Sequence, residues 1–234
     1  MNKIKIVLLI VLTAMSGACF QKPSSSGGNN KPALTAATAS PTTEKTIEPK
    51  NQTIKTGDYD AALNFYNSKK YENAAAEFAE VIKNEAKNQR AHFYLGKSFQ
   101  NLNKPAEAVG AFQKAVELKP DDAEANYELG SVYMKKKDFE TSLPFIQKAA
   151  KIKYTNPIYL IALGDNYREL NRCNYAMPPY GNSTGFDDKN PAAYYGMGLC
   201  YIELKNRLAA AQQVSNLEKL DKILAKKLAD KIPK

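Results

Sequence analysis

The residues able to do chemistry are few, and their spacing limits what they could do together. The 234-residue chain has one histidine, His92, three cysteines at 19, 173 and 200, and no tryptophan. A serine or cysteine nucleophile activated by an imidazole would have to use His92. That residue stands three before Leu95-Gly96 in an apolar-periodic stretch, a place that faces an adjoining helix, so a packed side chain is the plainer reading. No Cys/His spacing suits tetrahedral zinc, and no glycine-rich loop suits a phosphate. Asp165 and Glu169 stand one helical turn apart beside Arg168. They are the one carboxylate pair an envelope hydrolase could use, and the arginine makes them read as a surface charge cluster. Cys173 and Cys200 could bridge in an oxidising compartment. Spacing alone does not bring them together, and buried thiols are the plainer reading. The expectation is no catalytic residue, no cofactor and no metal.

Lys and Arg number 33 against 24 Asp and Glu, a formal charge of +9. Such an excess favours anionic surfaces without naming one. A basic module binding nucleic acid or another anionic surface is therefore an alternative function. The chain carries no nucleic-acid-binding motif, and its leader argues for export, so nucleic acid is not an expected partner.

Lys3 and Lys5 precede an apolar run from Ile6 to Met15, small residues Ser16-Gly17-Ala18, and then Cys19. These are the three parts of a secretory signal, assigned to residues 1–18. The run is too short to stay as a bilayer span, which takes ~20 apolar residues. Ala18-Cys19 resembles the lipobox of bacterial lipoproteins, whose cysteine becomes N-terminal and carries diacylglycerol on its sulfur. Ser16 departs from the leucine that family prefers there, and cleavage to a soluble secreted form is the alternative. Two acyl chains would suffice for stable anchoring to a bacterial membrane. Residues 19–54 then read as the acylated cysteine and a tether of Ser, Thr, Pro, Gly, Asn and Lys, with SSSGGNN at 24–30. This stretch has nothing to bury and is expected to be disordered.

Beyond the tether the chain repeats itself. Leu95-Gly96, Leu129-Gly130, Leu163-Gly164 and Met197-Gly198 recur 34 residues apart, with an aromatic three residues after each glycine: Phe99, Tyr133, Tyr167 and Tyr201. Ala108, Phe112, Ala115 and Pro120 are echoed by Ser142, Ile146 and Ala149, and Ala62 stands where a first glycine would be. A glycine inside a helix costs ~1 kcal/mol relative to alanine, so its repetition calls for close approach of a second helix at that point. The period and these residues resemble the tetratricopeptide repeat. The resemblance implies an all-α, right-handed superhelix of about five helix-turn-helix units over 55–224, near 55–88, 89–122, 123–156, 157–190 and 191–224. Leu217–Ile232 then reads as one basic amphipathic capping helix within 217–234, overlapping the last unit. Pro178, Pro179, Gly181 and Gly185 predict that the second helix of the fourth unit is degenerate or partly unwound, with a functional loop as the alternative.

In the tetratricopeptide family the first helix of each unit lines a groove that receives peptides or helices. The corresponding faces here carry Tyr59 and Tyr66, Phe93 and Lys97, Tyr127 and Met134, Arg168, and Tyr195, with Tyr94 and Glu128 on the shoulder. Aromatics interleaved with cations suit an extended protein segment with apolar and acidic side chains. The lysine and asparagine pairs with which chaperone-binding members clamp a terminal carboxylate have no match, because Tyr59 and Leu63, Phe93 and Lys97, and Tyr127 and Ser131 occupy those places. The sequence thus points to a non-catalytic, membrane-anchored interaction scaffold of the bacterial envelope.

Overall fold

A computed structural model describes residues 57–233. The signal, Cys19 and the whole tether lie outside the described residues. Within them the chain is all-α, with eleven helices and no strand. They form five antiparallel pairs: α1 (Tyr59–Asn67) with α2 (Tyr71–Asn84), α3 (Gln89–Asn101) with α4 (Pro105–Leu118), α5 (Ala123–Lys135) with α6 (Phe139–Ile152), α7 (Pro157–Glu169) with α8 (Cys173–Phe186), and α9 (Pro191–Glu203) with α10 (Arg207–Glu218). A last helix, α11 (Lys222–Ala229), packs on α10 and α9.

Each turn within a pair has the same construction. Lys69, Asn103, Lys137, Asn171 and Lys205 all have φ between 55° and 61°, at a constant spacing of 34 residues. The amide after each closes back on the first helix: Lys70 N–H donates to Phe65 C=O, Lys104 to Phe99, Asp138 to Tyr133, Arg172 to Tyr167 and Asn206 to Tyr201. With the paired bond from the preceding amide this is a Schellman ending, which satisfies carbonyls the helix leaves open. The first helices begin under Asx caps at Asp58, Asn88, Asp122, Asn156 and Asn190, each side chain accepting an amide of the first turn.

The recurring glycines sit where helices touch. A Cβ on Gly96 would lie 2.7 Å from the Phe112 ring of α4, and one on Gly130 would lie 2.6 Å from Ile146 of α6. A Cβ on Gly164 would lie 2.5 Å from the Tyr180 ring of α8. At Gly198 the intruding neighbour is Leu228 of α11 rather than a residue of α10. Phe78, Phe112, Leu129, Ile146, Tyr180, Leu217 and Leu228 are the large side chains wholly buried along the array.

Three expectations need correction. The period places the first helix near residue 55, yet α1 begins at Tyr59. Gly57 has φ +86° and Asp58 caps from an extended conformation, with both amides held by Glu77 Oε1 at 2.6 and 3.2 Å. The helix over Leu217–Ile232 is broken: α10 ends at Glu218, and Asp221 caps α11 by accepting from the Ile223 and Leu224 amides. Finally, α8 is helical throughout 173–186 with both prolines inside it. The carbonyls that Pro178 and Pro179 leave without donors belong to Asn174 and Tyr175, both exposed to water. Pro144 occupies the matching place in α6, over exposed Glu140. Burial of Cys173, Ala176 and Tyr180 on the other side holds the helix in spite of its composition.

Candidate functional site: the inner face of the first helices

The inner face is built from one side of α1, α3, α5, α7 and α9. At its N-terminal end Tyr59, Tyr66 and Tyr94 form a cluster of edge-on rings, with Tyr94 stacked on buried Phe78 at 5.6 Å. All three tyrosines keep part of their surface open. Burial pushes the Tyr59 and Tyr66 phenols above their ordinary range, so they stay neutral donors at any physiological pH. The Arg90 guanidinium lies 5.4 Å from the Tyr94 ring centre, a cation held against an aromatic face.

Phe93 does not belong to this surface. It is 2% exposed and packs on Phe112 and Tyr94, so the site residue expected there is a core residue. The neighbouring Tyr94, assigned only to the shoulder, shows the open ring instead.

Lys97 is on the face but not free. Its ammonium pairs with Glu128 at 2.5 Å, while Gln100 Nε2 donates to the other carboxylate oxygen at 3.2 Å. Burial lowers the Lys97 pKa and the Glu128 hydrogen bond and charge raise it, with a net upward shift. The cation therefore bridges α3 to α5, and its charge is spent within the protein. Tyr127 stacks on Tyr159 of α7 at 4.8 Å. Burial first, then the Glu124 carboxylate, pushes the Tyr159 phenol up to about 12. Met134 is half-buried on the same helix as Tyr127.

Arg168 contacts Asp165 at 3.6 Å and Glu169 at 2.7 Å. The Tyr180 hydroxyl, reaching through from α8, donates to Asp165 Oδ1 at 2.7 Å. Burial raises the Asp165 pKa despite this hydrogen bond, and it raises that of Tyr180 as well. The two carboxylates considered for acid–base work are thus occupied, one by a phenol and an arginine, the other by the same arginine. At the C-terminal end Tyr195 packs against the α10–α11 cluster, and the Lys227 ammonium stands 5.8 Å from its ring centre. His92 is 9% exposed with Nε2 3.1 Å from the Ala86 carbonyl, a packed residue at the junction of α2 and α3.

Residues that sequence reasoning missed are the cross-links between units. Ser142 Oγ donates to the Gly130 carbonyl at 2.8 Å and accepts from Asn166 Nδ2 at 2.7 Å, tying α5, α6 and α7 through a buried chain of hydrogen bonds. The signal was Ser142 standing where the period has Ala108. Cys173 and Cys200, whose pairing the sequence leaves open, meet as a disulfide joining α8 to α9.

Among the described residues no group of His, Cys, Asp and Glu is arranged to hold a metal, and no helix is long and apolar enough to cross a membrane. What the inner face offers is partly open aromatic surface, with Lys97 and Arg168 paired to carboxylates of the protein itself.

Residues 59–99 and 95–157 match the tetratricopeptide repeat family model. No curated protein sequence matches the chain. Among solved structures it is similar to YrrB, a tetratricopeptide protein with an unusual peptide-binding site, at TM-score 0.69 and 20% identity over 73% of this chain and 89% of that one. It is similar to MamA at TM-score 0.67 and 21% identity, over 72% of this chain and 99% of that one. Residues 41-end of MamA from Desulfovibrio magneticus RS-1 give 0.66 and 18%, over 70% and 93%. At these identities the structures speak for the fold. With the 34-residue period and the glycine contacts, they establish an all-α solenoid of helix pairs in which residues 59–157 match tetratricopeptide repeats.

Proposed function

We propose that the chain is a non-catalytic scaffold of the bacterial cell envelope, held to a membrane by lipid on Cys19, that binds a partner protein or peptide along the inner face of its first helices. The observation that carries the binding role is the row of rings at Tyr59, Tyr66, Tyr94 and Tyr127, each packed on the core along one side and left partly open on the inner face. Rings of this kind bury a partner's apolar side chains at low entropic cost. Because Lys97 and Arg168 are paired within the protein, the partner is chosen by apolar and aromatic side chains more than by net charge. The peptide-binding site of YrrB, in the same fold, supports the reading.

The test is a photo-crosslink in living cells, with a photoreactive residue at Tyr127 and a control at exposed Lys114. One specific adduct from Tyr127 and none from Lys114 is expected, its mass giving the partner. Equal labelling at both, or none, would overturn the inner face as the binding site. For the anchor, metabolic labelling with a palmitate analogue should mark the native chain and leave Cys19→Ser unlabelled. Label on both would place the lipid elsewhere.

A further inference from the structure

Helix α8 is held together from outside itself. Its fourteen residues, CNYAMPPYGNSTGF, include two prolines, two glycines, two asparagines, a serine and a threonine, nearly all poor helix formers. A Cβ at Gly181 or Gly185 would meet nothing within 4 Å, so these glycines weaken the helix without serving a contact. Two external supports are visible. Cys173, its first residue, is bonded to Cys200 of α9 with a Cα–Cα distance of 5.2 Å. The Tyr180 ring is seated between Gly164 of α7 and Gly196 of α9, where either Cβ would overlap it, and its hydroxyl bonds Asp165. The sulfurs are shielded, since Cys173 is 3% exposed and Cys200 is wholly buried. A reductant reaches them only when the first turn of α8 opens.

We propose that the Cys173–Cys200 disulfide is a redox-sensitive latch on α8, opened by a dithiol reductant, whose release lets α8 melt and withdraws Tyr180 from between α7 and α9. One thiolate of the dithiol attacks a sulfur of the bridge and expels the other cysteine. The second thiol of the reductant then closes its own disulfide and frees the first cysteine. Two electrons pass to the bridge, the dithiol is oxidised, and each released thiolate takes a proton. The latch closes a loop with a sequence separation of 27, and constraining a loop of that size favours the folded form roughly 400-fold. The other repeats, with better helix formers, need no such help. The latch is independent of what the inner face binds. Only its further effect, freeing Asp165 and Arg168 toward a bound partner, rests on the function proposed above.

The test is amide hydrogen exchange on the full chain carrying Cys19→Ser, oxidised and after reduction by excess dithiothreitol in mild urea that is then removed. Reduction is expected to speed exchange in α8 about 100-fold or more, with α3 to α6 unchanged within about twofold. In a second variant, Gly181→Ala and Gly185→Ala fill open space, each worth about fivefold in helix equilibrium, and should slow α8 exchange in the reduced chain by about twentyfold. An α8 that stays equally protected after reduction would overturn the latch. So would an equal acceleration of every helix that the two alanines fail to reverse.

Discussion

Lys69, Lys137 and Lys205 sit in left-handed backbone that costs a residue with a side chain roughly 1 kcal/mol more than glycine. Lys137→Gly should therefore raise the free energy of unfolding by up to about 1 kcal/mol, read as a higher urea midpoint at unchanged slope. Gly164→Ala should act in the opposite sense, because its Cβ would meet a ring with no room to retreat. A loss of roughly 1–3 kcal/mol by the same measurement is expected. Asp165 gives a prediction in pH. Burial raises its pKa, so the folded chain holds a proton that the unfolded chain has already lost. Its contribution to stability is largest below the ordinary value near 3.9 and declines as pH rises through the raised one. Asp165→Asn keeps an acceptor for Tyr180 and removes that ionisation. Thermal melts should show the variant gaining on the native chain as pH climbs from about 4 toward 7. At this scale the sequence was readable where one residue does one job. The glycine phase marks close approach because only a missing Cβ explains a repeated helix-weakening residue. The Lys97–Glu128 pair was not readable, since it joins two units and neither helix alone declares the partner. Phe93 shares its register with Tyr127 and still turns inward, because Phe112 fills the space beside Gly96 and receives it.

Among the helices, α11 and α8 taught opposite lessons. The break before α11 had a local signal in Asp221, a good cap standing ahead of Lys-Ile-Leu, and an unbroken amphipathic pattern concealed it. Leu228 is wholly buried and fills the space beside Gly198, so α11 takes over a contact that the second helix makes in the units before it. Leu228→Ala is expected to cost about 2–4 kcal/mol, with the faster amide exchange confined to α9, α10 and α11. The helix at 173–186 had no local signal, because its stability comes from Gly164, Gly196 and Cys200, none of which lies within it. Propensity describes what a segment does alone, and α8 is never alone.

Across the array each pair of helices touches its neighbours in sequence, and stability is accordingly a sum of local terms. Phe112→Ala, which empties the contact between α3 and α4, should raise amide exchange across α2 to α5 and leave α8 to α10 near native values. Uniform acceleration would show a single cooperative unit. Most of the fold was legible because the same chemistry is written at a constant interval. The binding surface was legible only as a face, since which rings stay open depends on the pairing of units.

Helices α2, α4, α6 and α8 are each fourteen residues long, although the last shares little of the others' composition. The count is what survives. One residue added or deleted in α8 ahead of Tyr180 would turn everything after it by about 100° and carry Tyr180 off its seat. A change of letter leaves the metre intact. That stretch should tolerate substitution on its outer side as readily as a loop does, and tolerate an insertion as poorly as a gear tolerates an extra tooth.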